Sequence, residues 1–341
     1  MRYPRWVVLS DGSCPTEDIY FLGSAAPWLQ ARGVEVRRID TSYWRLPIMC
    51  MPWLVGEMRH AHVLVCRSLN TYWLSWLEAN RERLATVRYL IDDDIPAAAE
   101  DPRLPASYRR RMRHVATQLQ PRLFALADEV IASSAALGQQ LSRHHPAVAV
   151  LTPPLIGEPL ATMPPPALTR IGFYGSRAHL GDLEAITPAL VALHQRHTDL
   201  SFEIMLGEHT PRALQGLARV QTPRALNWRA FQRYRGQHSA DIGLTPMVDT
   251  PFNAGKSHIK FLDNALMGSV GIYSRCSPYR DVVEDGVDGL LVDNAEVDWR
   301  EAVERLVQQP GEARAMARRA AHKARELGDP ARARAFWWAR R

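Results

Sequence analysis

Short runs of β-type residues alternate with helical stretches along this chain, and that alternation constrains its fold more than any single motif. In the first half Trp6–Ser10 (WVVLS), Val34–Ile39, His62–Cys66 (HVLVC), Val87–Ile91 (VRYLI), Glu129–Ala132 and Val148–Leu151 read as strands. A helical pattern over Ile19–Arg32 separates the first two and stops at Gly33. In the second half Arg170–Tyr174, Phe202–Leu206, Asp241–Pro246 and Val270–Ser274 continue the series. Helices are expected at about Asp182–Arg196, from Gly207 in stretches to about Arg235, and at Trp299–Gln308 and Glu312–Leu327. Strands separated by helices pair in parallel through right-handed crossovers, which makes open α/β sheets the expected fold class. Ligands of such sheets sit outside the carboxyl ends of the strands. Asp11-Gly12-Ser13, Arg67 and Asp92-Asp93-Asp94 each stand just past a strand.

At 341 residues the chain exceeds one ordinary core and fits two domains. Residues 153–166, PPLIGEPLATMPPP, contain six prolines and can continue neither a helix nor a central strand. We therefore expect a Rossmann-like α/β domain over 1–155, a Pro-rich linker over 156–166, and a second Rossmann-like domain over 167–310. A C-terminal helix with a basic aromatic tail follows over 311–341. Small-molecule sites concentrate in clefts between domains, so parallel sheets facing an inter-domain cleft are the expected architecture.

Composition removes several function classes. The chain is 46% hydrophobic and 23% charged, as soluble globular proteins are. It holds no run of 18 uncharged apolar residues, so no spanning helix is expected. The start, MRYPRWVVLSDG, reads as a first strand and not as a signal peptide. Cys14, Cys50, Cys66 and Cys276 are scattered, which indicates neither a disulfide framework nor a zinc site and makes a reducing cytoplasm the default. The net charge is +6, and Glu312–Arg341 alone holds nine Lys/Arg against three Asp/Glu, a difference of six. The rest of the chain is balanced, which argues against a nucleic-acid partner. No Gly-x-Gly-x-x-Gly follows the first strand and there is no Walker-type loop, so a dinucleotide-binding dehydrogenase and a P-loop enzyme are not expected. Ser13 and Ser274 lack His/Asp companions at motif spacing, and His60 and His62 read as structural.

The most informative stretch is Phe252–Gly268, FNAGKSHIKFLDNALMG. Read as a loop entering a helix near Lys256, it puts Lys256, Lys260 and Asp263 at i, i+4 and i+7, on one narrow stripe. Ile259, Leu262 and Leu266 form an adjacent apolar stripe. A helix start with two lysines suits a diphosphate, and a carboxylate one turn further on suits sugar hydroxyls. Gly175, after the strand that opens the second domain, lets a phosphate approach the backbone. Asp92-Asp93-Asp94 admits three readings: an acceptor-side role or base, a metal cluster, or a structural N-cap. Arg67 could face a ligand or be a buried arginine paired with an aspartate.

The order of these elements, a strand ending DIGLTP (Asp241–Pro246), the stretch above, VGIYS (Val270–Ser274) and SPYRDVVEDGVDGLLVD (Ser277–Asp293), resembles the C-terminal half of the GT-B glycosyltransferases. Among them it resembles glycosyltransferase family 4. The resemblance covers about residues 165–310 well and the first half loosely. It implies a nucleotide-sugar donor, UDP- or GDP-type, held by the second domain, an acceptor held by the first, no resident cofactor or metal, and retention at the anomeric carbon. By the family's pattern Arg177 reaches the diphosphate, with His179 beside it. Leu180 and Gly181 stand where the usual partner lysine would be, so Lys256 or Lys260 must compensate. The family's Glu-x7-Glu pair is broken: Asp263 takes the second place and Gly255 the first, leaving Asn253 and Ser257 as polar candidates. "IDDDIP" also occurs in a subgroup of the fold. The expected catalytic residues are Arg177, Lys256 and Asp93. The expected substrate-binding residues are Gly175, His179, Asn253, Ser257, Lys260, Asp263, Gly12 and Arg67, with no metal ligands.

The acceptor implied is a glycan, lipid-linked or small molecule. The rival is a non-catalytic nucleotide-sugar-binding or scaffold protein on the same fold; an epimerase or phosphorylase finds no motif of its own. The tail ends in FWWARR, whose rings and cations suit peripheral contact with an anionic membrane on its inner face. In GT-B proteins the last helix also often docks back on the first domain, which is a second use for the same residues.

Overall fold

A computed structural model describes residues 4–12, 15–43, 56–160 and 169–341. Ser13, Cys14, Cys50 and the end of the expected linker, residues 161–166, lie outside the described residues. The chain divides into two compact units: Met1–Ile156 with Ala254–Ser257 and Asp329–Arg341, and Gly157–Asn253 with His258–Gly328.

The first unit is built on β1 (Arg5–Ser10), β2 (Glu35–Asp40), β3 (His62–Cys66), β4 (Thr86–Ile91), β5 (Glu129–Ala132) and β6 (Val148–Val150). They form one parallel sheet in the order β2-β1-β3-β4-β5-β6. Val7, Val8 and Leu9 of β1, Val63, Leu64 and Val65 of β3, and Tyr89, Leu90 and Ile91 of β4 are all fully buried. Continuous apolar runs of this kind belong to strands covered on both faces. The order reverses between β1 and β3, so the switch-point crevice of this sheet lies past Ser10 and Cys66.

The second unit repeats the plan with β7 (Thr169–Phe173), β8 (Leu200–Ile204), β9 (Val220–Gln221), β10 (Ile242–Thr245), β11 (Val270–Ser274) and β12 (Leu290–Val292). Their order, β12-β11-β10-β7-β8-β9, is that of the dinucleotide-binding sheet counted from β7, and all pairs are parallel. Here the reversal falls between β7 and β10. The Leu180–Arg196 helix covers the sheet with Leu183, Ile186, Leu190 and Leu193, an i, i+3, i+7, i+10 stripe that is wholly buried.

Two expectations are corrected. The stretch expected to be helical from Gly207 to Arg235 instead contains 3₁₀ turns at Gly207–His209 and Arg212–Leu214, the short edge strand β9, and a helix only over Trp228–Arg235. Pro211, Pro223 and the left-handed Gly207 (φ 56°) and Gly216 (φ 72°) interrupt it. The C-terminal segment also divides. The Pro310–Leu327 helix stays with the second unit, Gly328–Asp329–Pro330 ends it, and the Pro330–Trp338 helix belongs to the first. There Trp337 is fully buried, edge-on to Trp6 at 5.3 Å and to Phe21 at 4.8 Å, and its Nε1 donates to the Tyr20 carbonyl at 2.7 Å. Trp338 packs on Trp28, and Arg340 binds both Glu129 oxygens at 2.6 and 2.8 Å. The rings that sequence reading offered to a membrane are thus largely engaged within the fold. Among the described residues no helix is long and apolar enough to cross a membrane.

Candidate functional site

In the second unit the candidate residues gather around the β7/β10 switch point. Tyr174 and Gly175 follow β7, and a turn over Arg177–His179 feeds the Leu180–Arg196 helix. Lys260, on the Ile259–Leu266 helix, donates to the Tyr174 carbonyl at 2.7 Å and to Asp263 Oδ2 at 3.0 Å. Its ammonium is thereby fixed at the carboxyl end of β7. The other Asp263 oxygen accepts from Arg235 Nη1 at 2.6 Å. Burial alone would push the Asp263 carboxyl up; Lys260 and Arg235 outweigh it and hold the carboxyl below its ordinary range. Arg177 is exposed and makes no ion pair among the described residues, so its guanidinium is open to a ligand.

A second set of contacts ties the two sides of the switch point together. Asp182 Oδ2 accepts from His179 Nδ1 at 3.0 Å, while Oδ1 accepts from the Val248 N–H at 2.9 Å and from Asn253 Nδ2 at 3.3 Å. Asn253 also donates to the Val248 carbonyl at 2.9 Å. The loop after β7 is therefore bonded to the loop after β10 through one buried carboxylate. His179 and Asn253, each expected from sequence as a substrate-binding residue, both bond this carboxylate, whereas Asp182 and Arg235 escaped sequence reading. A buried acid such as Asp263 beside one lysine calls for a second cation. That was the available signal for Arg235, but nothing in the spacing pointed 28 residues upstream. Gly175 has a packing reason of its own, since a Cβ there would stand 2.5 Å from the Phe173 ring.

In the first unit Arg67 comes directly after β3 in a left-handed conformation (φ 63°). Its N–H donates to the Leu90 carbonyl at 2.9 Å and its carbonyl accepts from Tyr89 OH at 2.7 Å, contacts that over-determine this costly backbone. The guanidinium lies 2.7 Å from Asp93 Oδ2 and 3.3 Å from Asp92 Oδ1. Lys256 Nζ donates to the other Asp93 oxygen at 2.9 Å, and Thr16 donates to Asp92 Oδ2 at 2.6 Å. Burial pushes the Asp92 carboxyl up against the pull of Arg67. Asp94 caps the Ile95–Glu100 helix through the Ala97 N–H at 3.0 Å. Each of the three aspartates thus has its own protein partner, and among the described residues no group of three or more His, Cys, Asp or Glu could hold a metal ion. Ser257 is buried and accepts from Tyr20 OH at 3.3 Å. The Gly12 N–H donates to Asp40 at 3.1 Å.

The expected stripe of Lys256, Lys260 and Asp263 does not form. The helix begins at Ile259, and Ala254–Ser257 belong to the first unit, where Lys256 meets Asp93. Only Lys260 and Asp263 share the helix. Asp263 is also no open sugar ligand, because both its oxygens are bonded and its side chain is 6% exposed.

His258 opens that helix, is buried, and is pushed down to about 4 by burial. It stays neutral in the fold where an unfolded histidine, at 6.5, would already charge. Stability is therefore complete above pH 6.5 and lost as pH falls toward 4, by at most about 1.4 kcal/mol per pH unit. Urea midpoints of the second unit are expected to fall across that window and to fall less in His258→Gln. Parallel profiles for the two proteins would overturn this.

No protein-family model and no curated protein matches the chain. Solved structures do. Anabaena HepE, crystallised with UDP and glucose, aligns at 11% identity and TM-score 0.63, covering 99% of both chains. The sucrose-phosphate synthase of Thermosynechococcus elongatus aligns at 15% identity and TM-score 0.61, covering 95% of this chain and 94% of that one. A glycosyltransferase from Rickettsia africae aligns at 12% and 0.60, covering 96% and 94%. At such identities the likeness establishes the fold: two six-stranded parallel α/β units of the GT-B type.

Proposed function

We propose that this protein is a glycosyltransferase that moves a sugar from a UDP- or GDP-type nucleotide sugar to a glycan, lipid-linked or small-molecule acceptor, with retention. The observation that carries this reading is Lys260, locked by Asp263 and the Tyr174 carbonyl at the strand-end switch point, with Arg177, which makes no ion pair among the described residues, in the turn that follows Tyr174 and Gly175. Fixed cations at that place suit a leaving diphosphate, where charge develops during transfer. Asp263 and Arg235 act as positioning residues for the ammonium. In the first unit Arg67, Asp93 and Lys256 form the polar cluster assigned to the acceptor side. The resemblance to glycosyltransferase family 4 supports retention, and the solved relatives of this fold, one of them bound to UDP and glucose, support the donor class.

A screen of nucleotide sugars for thermal stabilisation and nucleotide release tests the reading. Lys260→Ala is expected to weaken donor binding by about 1.5–3 kcal/mol, because charge-assisted contacts to phosphate are strong. Wild-type affinity in that variant would sink the assignment. Turnover is expected to continue in EDTA; loss in EDTA and recovery with Mg²⁺ or Mn²⁺ would make metal part of the reaction.

One observation favours the scaffold reading. Gly255 stands where the family places an acid, so the chain offers no carboxylate at that position, and Leu180 and Gly181 stand where the family's partner lysine would be. Stabilisation by a nucleotide sugar without any turnover would select that reading.

Peripheral contact with an anionic membrane in the cytoplasm completes the proposal. With Trp337 buried, the exposed Arg332 and Arg341 carry it, so attachment is electrostatic. Co-sedimentation with anionic vesicles is expected at low salt and not at high salt. No binding at low salt would remove the membrane from the scheme.

A further inference from the structure

The first unit holds a cavity of about 470 Å³ at the carboxyl ends of β1 and β3, lined on the strand side by Asp11, Cys66 and Arg67. This is the switch point of the sheet, and the volume is that of a small-molecule site. One wall is apolar: Leu69, Ile95, Met112, Val115 and Leu119 line it and are each no more than 6% exposed. Arg111 and His114 stand in the same lining and are exposed.

The charges of this lining are unequal. Arg67 is already met by Asp92 and Asp93. Arg111 makes no ion pair among the described residues and lies 5.2 Å from the Tyr108 ring, which supports its guanidinium without neutralising it. Local backbone geometry aims these residues together. The Ala106–His114 helix continues into a π-helical turn over Val115–Leu119. In a regular helix a step of four residues overshoots a full turn by about 40°. The wider π turn undershoots it, so Arg111, Val115 and Leu119 stay on one line. Single π turns inside helices recur at functional sites.

We propose that this cavity binds the acceptor as an amphiphilic, anionic glycoside, with a carboxylate or phosphate on Arg111 and an apolar aglycone against the Met112–Leu119 wall. The proposal rests on the transferase reading for the word acceptor, but not for the binding itself. An arginine fork reads either anion in bidentate fashion, and removing the anionic group should leave only the weaker apolar contact.

The test is calorimetric titration of the full chain, without any nucleotide sugar, using three probes: phenyl β-D-glucoside, phenyl β-D-glucuronide and phenyl β-D-glucoside 6-phosphate. At least one anionic probe is expected to bind about tenfold or more tightly than the neutral one, and the pair of anionic probes shows which group is preferred. Arg111→Gln, an exposed position whose change leaves the core intact, is expected to reduce the anionic probe to the neutral probe's affinity. Equal affinity for all three probes, no binding by any, or an unchanged anionic affinity in Arg111→Gln would each overturn the proposal. Failure of sugar transfer with probe binding intact would count against the transferase reading alone. Transfer activity with no probe selectivity would count against the cavity alone.

Discussion

Replacing Arg235 with alanine is expected to destabilise the second unit by about 3–5 kcal/mol, the cost of breaking a buried ion pair from one side. The side chains of Arg235 and Asp263 are 5% and 6% exposed, and their contact is 2.6 Å. Removing the guanidinium leaves a buried carboxylate with Lys260 as its one ion-pair partner among the described residues. The sign of the pH dependence follows. Asp263 is held below its ordinary range, so its contribution is present above the unfolded value near 3.9 and lost as pH falls through the folded one. In Arg235→Ala the folded carboxyl moves up toward its unfolded value, so the stability lost to acid is expected to be smaller than in the wild type. Denaturant unfolding across pH checks both, and the double variant Arg235→Met, Asp263→Leu should recover much of the stability, since a pair replaced together by apolar groups leaves no orphaned charge. Wild-type stability in Arg235→Ala would mean that the pair carries nothing.

Trp337→Ala should be comparably severe for the other unit, at about 3–5 kcal/mol, the range for emptying a buried tryptophan site. The ring fills a fully buried position among Trp6 and Phe21, and its N–H satisfies the Tyr20 carbonyl. Trp337→Phe keeps most of the apolar area but orphans that carbonyl, for which about 1–3 kcal/mol is expected. Calorimetry of the full chain should show the first unit melting earlier while the second is unmoved. A single unshifted transition in Trp337→Ala would contradict the packing described.

Much of the architecture was legible because the physics behind it is local. Buried-type runs such as VVLS and VLVC announce parallel strands, and their alternation with helical stripes announces the crossovers. Strand order was not legible, since no residue pattern says that β3 passes to the far side of β1. The two residues of β9 carry no periodicity to read. Among site residues, Lys260 with Asp263, and His179 with Asn253, were chosen from sequence and are brought together. The misreading of Lys256 has a specific cause. Lys256-Ser257-His258 has nothing that forbids a helix, and the contacts that hold this segment in the first unit, among them Lys256 with Asp93, 163 residues away, and Tyr20 with Ser257, are long-range. Arg235 and Asp182 were missed for the same reason, because buried charge compensation is a long-range property that spacing along the chain does not encode.

The first unit draws on the chain three times, and its last contribution, Asp329–Arg341, is translated after the whole of the second unit. A nascent chain that has delivered all six strands of the first sheet still lacks the ring that closes on Trp6. The bond from Trp337 to Tyr20 spans 317 residues, so the half of the protein made first can only be completed by the part made later. A leading unit that folds on the ribosome is therefore expected to lack about 3–5 kcal/mol of its final stability, with its aromatic pocket open to solvent, until synthesis has passed the far end of its neighbour.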